Sequence, residues 1–235
     1  PEVTLERRAL AVLCADNGVV AQGVTQTDSS VTAAVARALG AGESTVCHMA
    51  RPARCQVIPV DMGILDFPGA PGVLDRRVQN GTGDITKGPA MSRQACIQAV
   101  ETGADLAREL KEQGFHILAT GEMGIGNTTT ASAVVSVLLH LPPRRVTGRG
   151  AGLSDAGLER KVRAVETAIS VNRPDGNDPL DVLAKVGGLD LAGLCGLFLG
   201  GARYGLPVVA DGLISCAAAL CAVRLCPAAR GAVLA

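Results

Sequence analysis

A carboxylate set among three glycines is the first place in this chain where residue types and spacing point to chemistry. Residues 115–130 read FHILATGEMGIGNTTT, with Glu122 lying between Gly121, Gly124 and Gly126. Glycines let a phosphate approach the main chain closely, and the amino end of a following helix favours an anion. The spacing G-x-x-G-x-G is neither the dinucleotide fingerprint nor a Walker loop. Taken alone, the stretch says "anion beside a carboxylate", and an ordinary tight strand-to-helix turn would carry the same residues.

Such a turn needs a strand before it and a helix after it. Phe115, Ile117, Leu118 and Ala119 form a short apolar run behind Gly114, which reads as a buried strand. Asn127 or Thr128 is placed to cap a helix through Thr129, Ala131, Val134, Val135 and Leu138. Two more strands are expected at 8–14 (RALAVLC) and 56–64 (QVIPVDMGI), and a short one at 206–210 (LPVVA). Helices are expected after Asp28, Ser29 or Ser30, over 45–50, after Ser92, after Ser154 or Asp155, and in two small-residue runs beyond Pro179. The last helix, 214–226, is almost wholly apolar and is expected to need a covering surface from a further segment or a second subunit. Residues 65–89 form a long irregular stretch rich in Gly, Pro, Asp and Arg, a length that is usually functional.

Three or four apolar strands alternating with helices imply a parallel sheet covered on both faces. Asp16, Asp61, Glu122 and Asp211 each follow the apolar part of a strand, so the four should gather along one sheet edge. A single strand-end carboxylate is usually a turn residue, and Asp16 by itself reads that way. Several converging with glycine-rich loops are harder to dismiss.

Composition narrows the field. The 235 residues are enough for one main domain, and Lys+Arg balance Asp+Glu at 22 each. A neutral chain with four aromatic residues lacks both the basic field and the stacking surfaces of a nucleic-acid binder. The eight cysteines include no C-x-x-C pair and sit mostly in apolar surroundings, which suits buried thiols in a reducing cytosol. The three scattered histidines make no metal pattern, and no apolar run is long enough to span a membrane.

Several segments together resemble one family, the nicotinate-nucleotide:dimethylbenzimidazole phosphoribosyltransferases of cobamide biosynthesis. They are ADNGVVAQGVT (15–25), GPAMSRQA (88–95), GEMGIGNTTT (121–130), VTGRGAGLSDAGLERK (146–161), DPLDVLAKVGG (178–188) and PVVADGLISCAAAL (207–220). The resemblance implies an α/β, Rossmann-like parallel sheet with helices on both faces, in a cytoplasmic homodimer without a cofactor. It implies transfer of phosphoribose from nicotinate mononucleotide to an aromatic base.

On the same resemblance, Glu122 is the catalytic carboxylate of this chain. Met123, Gly124, Gly126, Asn127 and Thr128 form the substrate-contacting loop, Gly150 and Lys161 hold the phosphate, and Asp211 is a further substrate-side acid. Without the resemblance Lys161 would read as a solvated helix lysine. Two departures stand out. The family's general base is a Glu in a Gly-rich motif not present here, and its small helical domain is largely missing, so residues 1–235 read as one core domain truncated at both ends with crippled catalysis. In the acceptor loop, Gln26, Thr27 and Asp28 stand where dimethylbenzimidazole users carry SAYP-like residues, so no tyrosine is available to stack on the base. A rival expectation is a nucleotide-binding or scaffold homologue that does not catalyse.

Overall fold

The computed structural model describes residues 4–235. Six strands form one sheet in the order β3-β2-β1-β4-β5-β6, every neighbouring pair parallel. They are β1 (Arg8–Ala15), β2 (Cys55–Gly63), β3 (Leu74–Asp75), β4 (Ile117–Met123), β5 (Val208–Val209) and β6 (Val233–Leu234). The helices are α1 (Ser30–Gly40), α2 (Thr45–Ala50), α3 (Arg93–Glu112), α4 (Asn127–Leu139), α5 (Pro143–Val146), α6 (Asp155–Asn172), α7 (Pro179–Val186), α8 (Leu189–Tyr204) and α9 (Gly212–Leu225). The long strands were expected. The short β5 falls within the strand expected at 206–210, and β3 and β6 bring the count above the four anticipated, because a two-residue strand leaves no periodicity to read.

Strand alternation sorts the core into two layers. Ala9, Ala11, Leu13 and Ala15 of β1, with Ile58, Val60 and Met62 of β2, face the larger layer, which holds α3, α4 and α6 to α9. Leu10, Val12 and Cys14 face the other way, against Ala36 and Leu39 of α1, Cys47 of α2 and the buried ring of Phe67. Because both faces are apolar, the strands read as continuous hydrophobic runs, as parallel strands do.

Local signals set several helix starts. Ser44, Ser92 and Ser154 each accept a hydrogen bond from the backbone N–H three residues on, at 3.4, 3.1 and 3.2 Å. Two other starts differ from expectation. Ser29 precedes α1 without a side-chain cap. Before α4 the capping position is Gly126, in the left-handed region at φ 94°, and Asn127 and Thr128 are already helical. The turn after β4 must reverse sharply within a few residues, which a glycine permits. Strand β4 also runs further than expected, through Gly121 and Glu122 to Met123. Gly121 suits that place because its position packs on Val12 and Leu10, where a methyl group would stand 3.2 and 3.3 Å from them.

The expectation about the last helix is corrected. Ile214, Ala217, Ala218, Cys221 and Ala222 of α9 are buried in the larger core layer, with α8, α4 and α7 as neighbours. The chain itself therefore covers one face of this run, while Leu213 and Cys216 stay exposed and Leu220 and Val223 are partly buried. No helix among the described residues is long and apolar enough to cross a membrane.

Helices α3 and α8 pack through glycine on both sides. A methyl group at Gly103 would overlap the carbonyl oxygen of Gly193, and one at Gly196 would overlap that of Val100. The two backbones are thus in direct contact, a form of close packing that tolerates no added carbon. Gly196→Ala should destabilise the chain by about 1–3 kcal/mol or more in urea unfolding. Gly88→Ala, where a methyl meets nothing within 4 Å, should stay within about 0.5 kcal/mol of the native chain.

Candidate active site

The strand order reverses between β1 and β4, and in open parallel sheets ligands bind in the crevice beyond the strand ends at that point. Asp16 and Asn17 leave β1 there, and Glu122 and the turn 124–126 leave β4. No side chain caps α4, so the positive end of its dipole points into the crevice.

Lys161 reaches the same place from α6. It is 1 % exposed, and its Nζ donates to Thr128 Oγ1 at 2.6 Å. Among the described residues no carboxylate offsets its charge, and burial alone pushes its ammonium down to about 8. The reading of Lys161 as a solvated helix lysine is therefore wrong. Gly150 faces the pair at φ 54°, and a methyl group there would stand 3.2 Å from Thr128 Oγ1 and 3.3 Å from Lys161 Nζ. A side chain at residue 150 would intrude on both groups and strain the backbone.

These groups surround a cavity of about 150 Å³ whose wall also includes Thr27, Gly124, Gly126 and Asn127. Gln26 Nε2 donates to Gly152 O at 2.7 Å, and Arg160 Nε to Gly23 O at 3.3 Å, tying the two flanking loops together. The cavity offers an ammonium, a hydroxyl, a helix amino end and glycine backbone. That set suits a phosphate monoester.

Glu122 is half-buried at the end of β4. It pairs in register with Leu13, so its side chain leaves the strand on the α8 side of the sheet, and at the strand end the residue also borders the recess on the other side. Burial, then the charges of Asp190 and Asp211, push its carboxyl up to about 7. Next to it, on the α1 and α2 side, a recess of about 440 Å³ is lined by Val12, Val35, Leu39, Val46 and Met123. A wider recess of about 570 Å³, near His140 and Pro142, is lined by none of the candidate residues.

Most sequence-derived candidates therefore meet, but in two compartments. Thr27, Gly124, Gly126, Asn127, Thr128, Gly150 and Lys161 line the anion cavity, while Glu122 and Met123 reach the apolar recess. Asp211 is exposed at the start of α9 and bears on Glu122 through its charge. Asp28 lines neither compartment, and its Oδ1 accepts the Ser30 N–H at 2.9 Å.

Asp16 and Asp61 converge on the same edge but anchor the chain that follows β2. Asp61 pairs with Arg77 at 2.7 Å and accepts the Ile64 N–H at 2.8 Å, and Asp16 accepts the Leu65 N–H at 2.9 Å. Sequence reasoning missed Asp190, which lies inside an apolar helix run, and Asn17, which looked like part of a turn. A lone acid in such a run was the one available signal.

The ammonium sets a pH dependence. Its folded-state value of about 8 lies below the ordinary 10.5, so burying it costs stability at pH 7 and that cost fades as pH rises from about 8 to 10.5. Lys161→Met should accordingly gain about 1–3 kcal/mol in urea unfolding at pH 7 and much less at pH 10. Inorganic phosphate affinity of the native chain, read by calorimetry, should weaken as pH rises through about 8.

Comparison with known proteins shows the family. A family model described as "Phosphoribosyltransferase" matches residues 1–235. A protein of Ruminiclostridium cellulolyticum named nicotinate-nucleotide--dimethylbenzimidazole phosphoribosyltransferase is 46% identical over 98% of this chain and 65% of its own length. One of the same name from Roseiflexus sp. is 48% identical over 95% of this chain and 64% of its own. The chain thus spans just under two thirds of these relatives. The crystal structure of CobT from Thermus thermophilus superposes with a TM-score of 0.93 at 39% identity, covering 100% of this chain and 70% of that one. With the fold, the anion cavity and these likenesses in agreement, the chain belongs to the nicotinate-nucleotide–dimethylbenzimidazole phosphoribosyltransferase family.

Proposed function

We propose that this chain carries the reaction core of an enzyme that moves phosphoribose from nicotinate mononucleotide to an aromatic base in cobamide biosynthesis. The observation that carries the reading is the buried, charge-unpaired Lys161 against Thr128 and Gly150. Burying an ammonium without a partner is costly, and a bound phosphate offsets that cost. With the phosphate held there, the ribose extends from the α4 amino end toward Glu122.

The reaction breaks the bond between ribose C1′ and the pyridinium nitrogen, which keeps the electron pair and leaves as nicotinate. A nitrogen of the acceptor attacks C1′ from the opposite side, giving an α-riboside phosphate, and sheds its proton. Positive charge grows at C1′ on the way, and the carboxylates of Glu122 and Asp211 stabilise it. The Gly-rich general-base motif is not among these residues, so Glu122, pushed up to about 7 by burial, is the carboxylate left to take the acceptor's proton. Since a well-placed base is worth about 10²–10⁴-fold, transfer by residues 1–235 should be slow. The apolar recess beside Met123 is the acceptor's place. It lacks an aromatic side chain, so the acceptor is held by aliphatic side chains together with the polar groups of Glu43, Ser44 and Thr45 in its wall. The reading places the protein in the cytoplasm as a homodimer, which sedimentation would check.

Lys161→Ala should weaken nicotinate mononucleotide binding roughly 10- to 150-fold in calorimetry, the worth of one ammonium–phosphate contact. Unchanged affinity would end the proposal. Glu122→Gln should bind the nucleotide normally yet release nicotinate at least 100-fold more slowly. Binding by the native chain with no nicotinate release from any base would favour a nucleotide-binding homologue that does not catalyse. In competition, adenine and phenols, the latter attacking through oxygen, should rival dimethylbenzimidazole within about tenfold, since no aromatic ring in the recess is there to stack on any of them.

A further inference from the structure

Two buried polar side chains outside the cavities lie under the turn that follows Glu122. Asn17 comes just after β1, and Asp190 sits in the first turn of α8, at 1 % and 0 % exposure. Among the described residues, neither polar atom of the Asn17 side chain has a hydrogen-bond partner, and neither does Asp190 Oδ2. Asp190 Oδ1 accepts the Leu191 N–H at 2.9 Å.

Two glycines clamp this pair. A methyl group at Gly124 would stand 2.9 Å from Asp190 Oδ2 and 3.0 Å from Asn17 Nδ2, and would overlap the carbonyl oxygen of Ala15. A methyl at Gly188 would stand 2.6 Å from Asn17 Oδ1 and would overlap Asp190 Oδ1. The amide and the carboxylate therefore fill the space between the two backbones. Gly124 in turn accepts the Asn127 N–H at 3.1 Å, so the start of α4 rests on the same support.

We propose that Asp190, wedged beside Asn17 beneath Gly124, is a positioning residue for Glu122: its side chain props the turn after β4, and its negative charge bears on Glu122. Both residues lie on the α8 side of the sheet. The charged groups around Glu122 are Asp190 on α8, Asp211 ahead of α9, and Glu43 at the rim of the apolar recess. From β1 and β2, Asp16 and Asp61 add negative charge next to the Cys14 thiol, whose register partner is Met123. Arg77, the cation at this edge, is committed to Asp61. Carboxylates outnumber free cations around Glu122, and its value of about 7 fits that surplus together with burial. Asp190 itself is raised by burial to about 6. A part for the pair in phosphoribosyl transfer rests on the function proposed above; the prop and the charge effect do not.

The test is a ¹³C NMR titration of the Glu122 carboxyl in the ligand-free 235-residue chain. The native midpoint should lie near 7. Asp190→Asn keeps the shape and removes the charge, so the midpoint should fall by about one unit. An unmoved midpoint would overturn the charge effect. Asp190→Ala removes the prop as well, and hydrogen exchange at the Asn127 and Thr128 amides should quicken at least tenfold relative to Asp190→Asn. Equal exchange in the two variants would overturn the prop. Should the Ala variant not fold, Asn17→Ala supplies the same comparison of exchange rates. None of these readouts needs a nucleotide, so their failure leaves phosphoribosyl transfer untouched, and a failed transfer assay leaves them standing.

Discussion

An ammonium buried without a counter-ion among the described residues is the constraint on which the reactive centre of this structure depends. Lys161 is carried by α6, yet its nearest partner is the first turn of α4, and residue 150 must lack a side chain for both to fit. Locally the ammonium has one hydrogen bond, to Thr128 Oγ1, which satisfies a single donor and leaves the charge without an opposite. The arrangement persists because the helices on the α8 side are fixed by a large common core, and because two hydrogen bonds from Gln26 and Arg160 hold the flanking loops together. The fold supplies the free energy, and the anion cavity spends part of it, as functional sites commonly do.

The carboxylates follow the same logic with the opposite sign. Strand ends in a parallel sheet bring acids to one edge. Here some are neutralised and some are not. Asp61 has Arg77, and both Asp61 and Asp16 accept backbone N–H groups, so these two hold the segment after β2 in place. Among the described residues, no cation pairs with Glu122 or Asp190. Among the strand-end acids, partition between anchoring and reactive is decided by what each one touches, since they occupy similar places in the topology, and Asp190 adds its charge from α8.

Much of this was legible in the residues. The long strands, the serine-capped helices and the gathering of Gly124, Thr128, Gly150 and Lys161 follow from apolar runs, capping chemistry and quoted motifs. The bounds of α2 match the expected 45–50. What was hidden depends on packing between distant segments. Glu122 lies on a strand because Gly121 fits flat against Val12 and Leu10, a fact of sheet register. Helix α9 looked uncovered because its neighbours α4, α7 and α8 are remote in sequence. Asp190 looked like an incidental polar residue in an apolar helix, and only the clamp of Gly124 and Gly188 shows its neighbourhood.

The bare-backbone seam between α3 and α8 has a bearing on how the chain reaches this state. Gly103 and Gly193 touch, while β4, the anion-binding turn, α6 and α7 all lie between them in sequence. Docking α3 on α8 therefore closes a long loop that contains nearly the whole reactive centre. Closure entropy must be met before that contact gives anything back, and contacts of such sequence separation slow folding. The centre is thus assembled inside a noose: until α8 arrives, β4 has neither Asp190 beneath its turn nor a settled partner layer. Partly folded chains should consequently bind no anion at all, making anion protection a sensitive reporter of the last step of folding.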